Sequence, residues 1–161
     1  MSKDEPGLEH ALSTPAQVEA LADQLSACAD QLQARLKTEA VAIGALPEDS
    51  PARVQRREAA DQLRDAEHAL RQHANSLYAD AATAIVATLG TPQEQVIALT
   101  RAAARQLRRI ALVSDAAGLV AGLLQLAGGV ASARPGAIIT ALETIRTQLK
   151  AVKAGLPRKP A

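Results

Sequence analysis

Three histidines, His10, His68 and His73, and a single cysteine, Cys28, are the side chains best suited to metal binding or nucleophilic chemistry. His68 and His73 are five residues apart, about 140° around a helix, so they cannot grip one ion as an i, i+4 pair could. Asp65-Ala66-Glu67-His68 sets a carboxylate three residues before a histidine. A di-iron bundle needs that spacing on two helices and a carboxylate from each of two more. One copy is present, off the apolar seam, so neither a metal nor another cofactor is expected. His73 lies on a seam and reads as a packed or interfacial histidine, able to make an interface pH-dependent. Cys28 sits on another seam and reads as a small buried hydrophobe. Alone, it has no partner for an internal disulfide. No GxSxG, phosphate loop, dinucleotide fingerprint or HExxH occurs. Acids are absent from the expected seams, which leaves no carboxylate pair for proton transfer. The expectation is a non-enzymatic protein with no evident small-molecule substrate.

Charge offers a second kind of chemistry. Residues 1–94 hold 15 acids and 8 bases, whereas residues 95–161 hold 2 acids and 10 bases. Either acidic early helices lie beside basic later ones, or the basic half serves an anionic partner. Arg53 to Arg71 is dense in both signs, with Arg57–Asp61 and Glu67–Arg71 at i, i+4, and reads as a solvated helix face. Arg101, Arg105, Arg108 and Arg109 fall at i, i+4, i+7 and i+8 and share one face, a candidate patch for an anionic partner. No aromatic residue stands among them for base stacking, and no helix-turn-helix spacing is evident. The pattern therefore speaks against nucleic-acid recognition.

The run 111–133, ALVSDAAGLVAGLLQLAGGVASA, has Asp115 as its only charge, with Arg108-Arg109 before it and Arg134 after. A membrane helix needs about 20 apolar residues, and Gly118-x-x-x-Gly122 permits close helix approach in lipid. Three features oppose insertion. The run is rich in Ala and Gly, Gln125 lies within it, and no Trp or Tyr marks an interface. A helix surrounded by other helices, or facing a second copy, is equally apolar. That is the leading expectation. Insertion of a hairpin over 111–152, an outline shared with helical pore-forming subunits, is the alternative.

The elements that must position these groups are helices. The chain has 161 residues, 48% of them apolar. It contains 37 Ala, 21 Leu, no Phe, no Trp and one tyrosine, Tyr78. Strands favour aromatic and β-branched residues, so this composition points to an all-α fold. Thr14-Pro15-Ala16-Gln17 is a capping box with Pro at the first helical position. Ser50-Pro51 and Thr91-Pro92-Gln93-Glu94 repeat the signal, and Pro135 starts a fourth helix. The first seam is Val18, Leu21, Leu25, Cys28 and Leu32, shifting to Leu36, Ala40 and Ile43. The second is Leu63, Ala66, Leu70, His73, Leu77, Ala81 and Ile85. Val96, Leu99, Ala103, Ile110, Val113 and Ala117 line the third helix, and Gly128-Gly129 would break it. Ile138, Leu142, Ile145, Leu149 and Val152 line the fourth.

These patterns predict an antiparallel bundle of three long helices, about 15–45, 51–89 and 92–131, and a shorter fourth, about 135–154. Sequential helices should be neighbours. Residues 14–155 form one domain, between a flexible leader over 1–13 and a flexible basic tail over 156–161. A short fourth helix would leave part of the long ones uncovered. Leu119, Leu123, Leu126, Ile138, Leu142, Ile145 and Leu149 are then the candidate seam for a helical partner or a second copy. The acidic N-terminus has no signal-peptide core, which places the protein in the cytoplasm, with non-classical export or conditional membrane association left open.

Overall fold

A computed structural model describes residues 11–86, 89–110 and 113–153. All its regular structure is helical: α1 (Pro15–Gly44), α2 (Pro51–Ala79), α3 (Gln93–Arg109), a 3-10 turn (Val113–Ala116), α4 (Ala117–Ala131) and α5 (Pro135–Lys153). The first start signal acts as a cap. The Gln17 amide donates to Thr14 Oγ1 at 3.2 Å, and the Ser13 amide donates to Gln17 Oε1 at 2.8 Å. Pro51 and Pro135 open α2 and α5. At the third signal Pro92 is the cap residue and Gln93 the first helical one, with no side-chain cap bond. Gln93 is used elsewhere: it accepts from the Leu12 amide at 2.9 Å and donates to the Gln17 carbonyl at 3.1 Å.

Two of the expected long helices are shorter than their periodicity implied. α2 stops at Ala79, not near Leu89. The Thr83 amide and hydroxyl both return to the Asp80 carbonyl, and the Val86 amide donates to the Leu12 carbonyl at 2.8 Å. Thr83, Ile85 and Val86 are β-branched and hold a helix weakly, so this long-range partner prevails. The expected 92–131 helix is divided at Ile110, which is extended (φ −64°, ψ 130°). Arg35 of α1 donates from Nη2 to the Ile110 carbonyl at 2.7 Å, satisfying one orphan acceptor at that helix end. Gly128 and Gly129 break nothing; α4 runs through them.

The end of the expected leader is packed. Ala11 and Leu12 are fully buried, and the Ala11 amide donates to the Thr91 carbonyl. Residues 1–10, with His10, and the expected tail over 156–161 lie outside the described residues.

Side-chain pairs give the helix directions. Glu39 meets Arg56, Asp30 meets Arg71 and Asp23 meets Tyr78, so α1 and α2 are antiparallel. Gln31 meets Arg108 and Arg35 meets Ile110, so α1 and α3 run parallel. Gly129 faces Ile138, Gly122 faces Ile145 and Gly118 faces Gln148, so α4 and α5 form an antiparallel hairpin. The packing order closes on itself: α1 against α2, α2 against α4, α4 against α5, α5 against α3, and α3 against α1. Consecutive helices are therefore not always close neighbours, because α3 packs chiefly on α1 and α5.

α4 is the most enclosed element. Leu119, Val120, Leu123, Leu126, Ala127 and Val130 are at most 1% exposed. Fully burying each leucine contributes about 2 kcal/mol. Its glycines serve packing within the protein: a Cβ on Gly122 would stand 2.9 Å from Ile145 Cγ1. Among the described residues, no helix is long and apolar enough to cross a membrane.

Candidate interaction surfaces

The seven seam residues expected to meet a partner, Leu119, Leu123, Leu126, Ile138, Leu142, Ile145 and Leu149, are all 5% exposed or less. They form the chain's own α4–α5 core. A partner cannot reach them in the folded molecule, so that assignment is corrected. The reason is the closed packing order, in which α2 and α3 cover the faces that a length mismatch was expected to leave bare.

The α1 and α2 seams also differ in detail. α1 buries Glu39 where Ala40 was expected, and Ala40 is exposed. α2 buries Ala60, Leu63, Glu67, Leu70, Ala74 and Leu77, while Ala66 and His73 are half-buried. Two carboxylates thus lie on seams that seemed to contain none. Both are held by arginine. Glu39 receives Arg56 Nε at 2.7 Å and Nη2 at 3.0 Å. Glu67 receives Arg71 Nε at 2.9 Å, and Arg71 Nη2 also reaches Asp30 at 3.0 Å. Hydrogen bonding to these carboxylates raises the pKa of both arginines, keeping them charged. Arg56–Glu39 and Arg71–Asp30 clamp α2 to α1, and each buried carboxylate is held by an arginine of α2. The signal was present in the periodicity, since 36, 39 and 43 in α1 and 63, 67, 70, 74 and 77 in α2 keep 3–4 spacing.

The remaining chemistry-bearing residues have structural settings. His68 is exposed, with Nδ1 3.6 Å from Glu67 Oε2. Cys28 is fully buried, and its Sγ lies 3.5 Å from the Thr100 carbonyl. Burial pushes its thiol up to about 12. Thr100, also fully buried, donates to the Val96 carbonyl at 2.6 Å. Tyr78 donates to Asp23, and burial together with that carboxylate raises its pKa. Among the described residues no cluster of three or more His, Cys, Asp or Glu side chains has the geometry of a metal site.

Among the described residues, two open surfaces bear on binding. An apolar groove of about 240 Å³ lies between α2 and α4, lined by Ala59, Gln62, Leu63, Ala66, Ala117, Val120, Ala121 and Leu124. Ala117 and Ala121 are exposed there, and Ala59, Ala66 and Leu124 are half-buried. The second is the outer face of α3, where Arg101, Arg105, Arg108 and Arg109 are all exposed, as their spacing implied. Set against known protein families, curated proteins and solved structures, the chain matches none.

Proposed function

We propose that the protein is a non-enzymatic helical interaction module whose docking face is the groove between α2 and α4. It takes an apolar helix, from a partner protein or a second copy of the chain. One observation carries this reading. The groove is walled almost wholly by apolar side chains, four of them alanines, and small residues let a helix backbone approach closely. This is a narrower surface than the seams read from heptad spacing.

The test is sedimentation of the purified chain over a wide concentration range, beside Ala121→Glu and Leu124→Asp, together with binding of an apolar dye. Self-association that both substitutions abolish, with helicity unchanged, supports docking by a second copy. Dye binding to a monomer that both substitutions abolish supports a groove awaiting another chain. A monomer that binds no dye overturns the proposal. Insertion of the α4–α5 hairpin into a bilayer has less support. α4 has 15 residues, about 23 Å of helix against a hydrocarbon core of about 30 Å.

A further inference from the structure

Among the described residues, the uneven charge along the chain is not neutralised by ion pairs at the α3 surface. The ion pairs Arg56–Glu39, Arg64–Asp61, His68–Glu67, and Arg71 with Asp30 and Glu67 all join groups of α1 and α2. α3 packs on α1, yet among the described residues Arg101, Arg105 and Arg109 form no ion pair with a carboxylate. Arg108 is held by a neutral group, its Nε donating to Gln31 Oε1 at 3.0 Å. Four cations are thus presented outward on one rigid helix, and the acids of α1 are turned to α2.

The composition of that face narrows the partner. A helix that docks on lipid drives apolar side chains between headgroups. Val96, Ala103, Ala104 and Leu107 of α3 are buried in the bundle, and Ile97, Leu99 and Ala102 are half-buried against it. Its exposed positions are Glu94, Gln95, Ala98 and the four arginines. No large apolar side chain of α3 is fully exposed, and the half-buried Ile97 and Leu99 pack against the core. A surface of arginine alone suits phosphates, which the planar guanidinium grips in bidentate fashion. From Arg101 to Arg109 the helix rises about 12 Å, a length over which duplex nucleic acid presents about seven phosphate charges. The missing aromatics exclude base stacking but not contact with a phosphate backbone.

We propose that the outer face of α3 binds the phosphate backbone of double-stranded nucleic acid without reading its sequence. The site is distinct from the α2–α4 groove and does not depend on its role.

The experiment titrates a short mixed-sequence DNA duplex with the full chain by fluorescence anisotropy at several salt concentrations. With four phosphate contacts, log K should fall against log salt with a slope of about −3.6. Arg101→Gln/Arg105→Gln/Arg109→Gln should remove about 2.7 of that slope and weaken low-salt binding about tenfold or more. Lys37→Gln/Arg57→Gln/Arg134→Gln removes equal charge from exposed sites elsewhere and should leave most of the slope in place. If the triple α3 variant is poorly folded, Arg105→Gln alone should lower the slope by about 0.9. Absence of duplex binding at low salt overturns the proposal. So does equal loss in the control variant, or preference for phosphatidylglycerol vesicles over duplex.

Discussion

Gly128 and Gly129 adjoin in α4, yet the structure gives them opposite roles. A Cβ added at Gly128 meets nothing within 4 Å. A Cβ at Gly129 would stand 3.1 Å from Ile138 Cγ1, 3.2 Å from the Ile138 backbone nitrogen and 3.4 Å from the Ala137 carbonyl carbon. Two of those three atoms are backbone, and Ile138 is fully buried and stiff at χ1, so relief requires α5 to move outward. Gly128→Ala gains helix propensity, about 0.5–1 kcal/mol, without a steric cost. Gly129→Ala gains a similar amount but overpacks the α4–α5 interface at about 1–3 kcal/mol. Both substitutions are the same chemical change one residue apart in one helix, so propensity largely cancels in their difference. Gly128→Ala should therefore be more stable than Gly129→Ala by about 1–3 kcal/mol, a gap in melting temperature of at least about 2–4 °C. Chemical and thermal denaturation followed by circular dichroism measures it. Equal stability in the two variants, or a larger gain at Gly129, would refute close packing of α4 on α5 and the hairpin built on it.

Two further outcomes follow from single residues. Ala133 occupies the left-handed region (φ 50°) in a Schellman turn, where the Arg134 amide bonds the Gly129 carbonyl and the Ala133 amide bonds the Val130 carbonyl. Ala133→Gly should stabilise the protein by about 1 kcal/mol, read as a rise in the denaturation midpoint with an unchanged slope; a fall would contradict that turn. Cys28 should resist alkylation in the folded state at neutral pH, because burial lifts its pKa from 9.0 to about 12. The sign of the linkage follows. The unfolded thiol releases its proton first, so this contribution is intact below about pH 9 and is lost as pH rises towards 12. Cys28→Ala should flatten that alkaline decline in stability, and rapid labelling of the native wild-type thiol would contradict its burial.

Local chemistry made the helix starts legible. A threonine cap and a proline at the first position act within four residues, so Pro15, Pro51 and Pro135 mark three starts from sequence alone. The outward face of α3 was equally legible, because 3.6-residue periodicity places Arg101, Arg105, Arg108 and Arg109 opposite Val96, Ala103 and Leu107 whatever surrounds the helix. The burial of Leu21, Leu25, Leu32, Leu70 and Leu77 followed from the same rule. The groove was not legible. It depends on α4 lying against α2, and nothing local marks helices about fifty residues apart as neighbours.

The amino-acid order by itself determined an all-helical protein, most of its apolar seam and its exposed arginines, since capping and periodicity need no distant partner. The tertiary structure alone decided where helices end. Ile110 leaves the helical conformation with its carbonyl held by Arg35, and the segment after α2 turns away with the Val86 amide bound to Leu12. It decided too that Glu39 and Glu67 are buried, each beside an arginine that offsets the cost of desolvation. Helix termini and buried charges are settled by groups far away in sequence, because an orphan carbonyl or an unpaired carboxylate is stable only where the fold brings a donor to it.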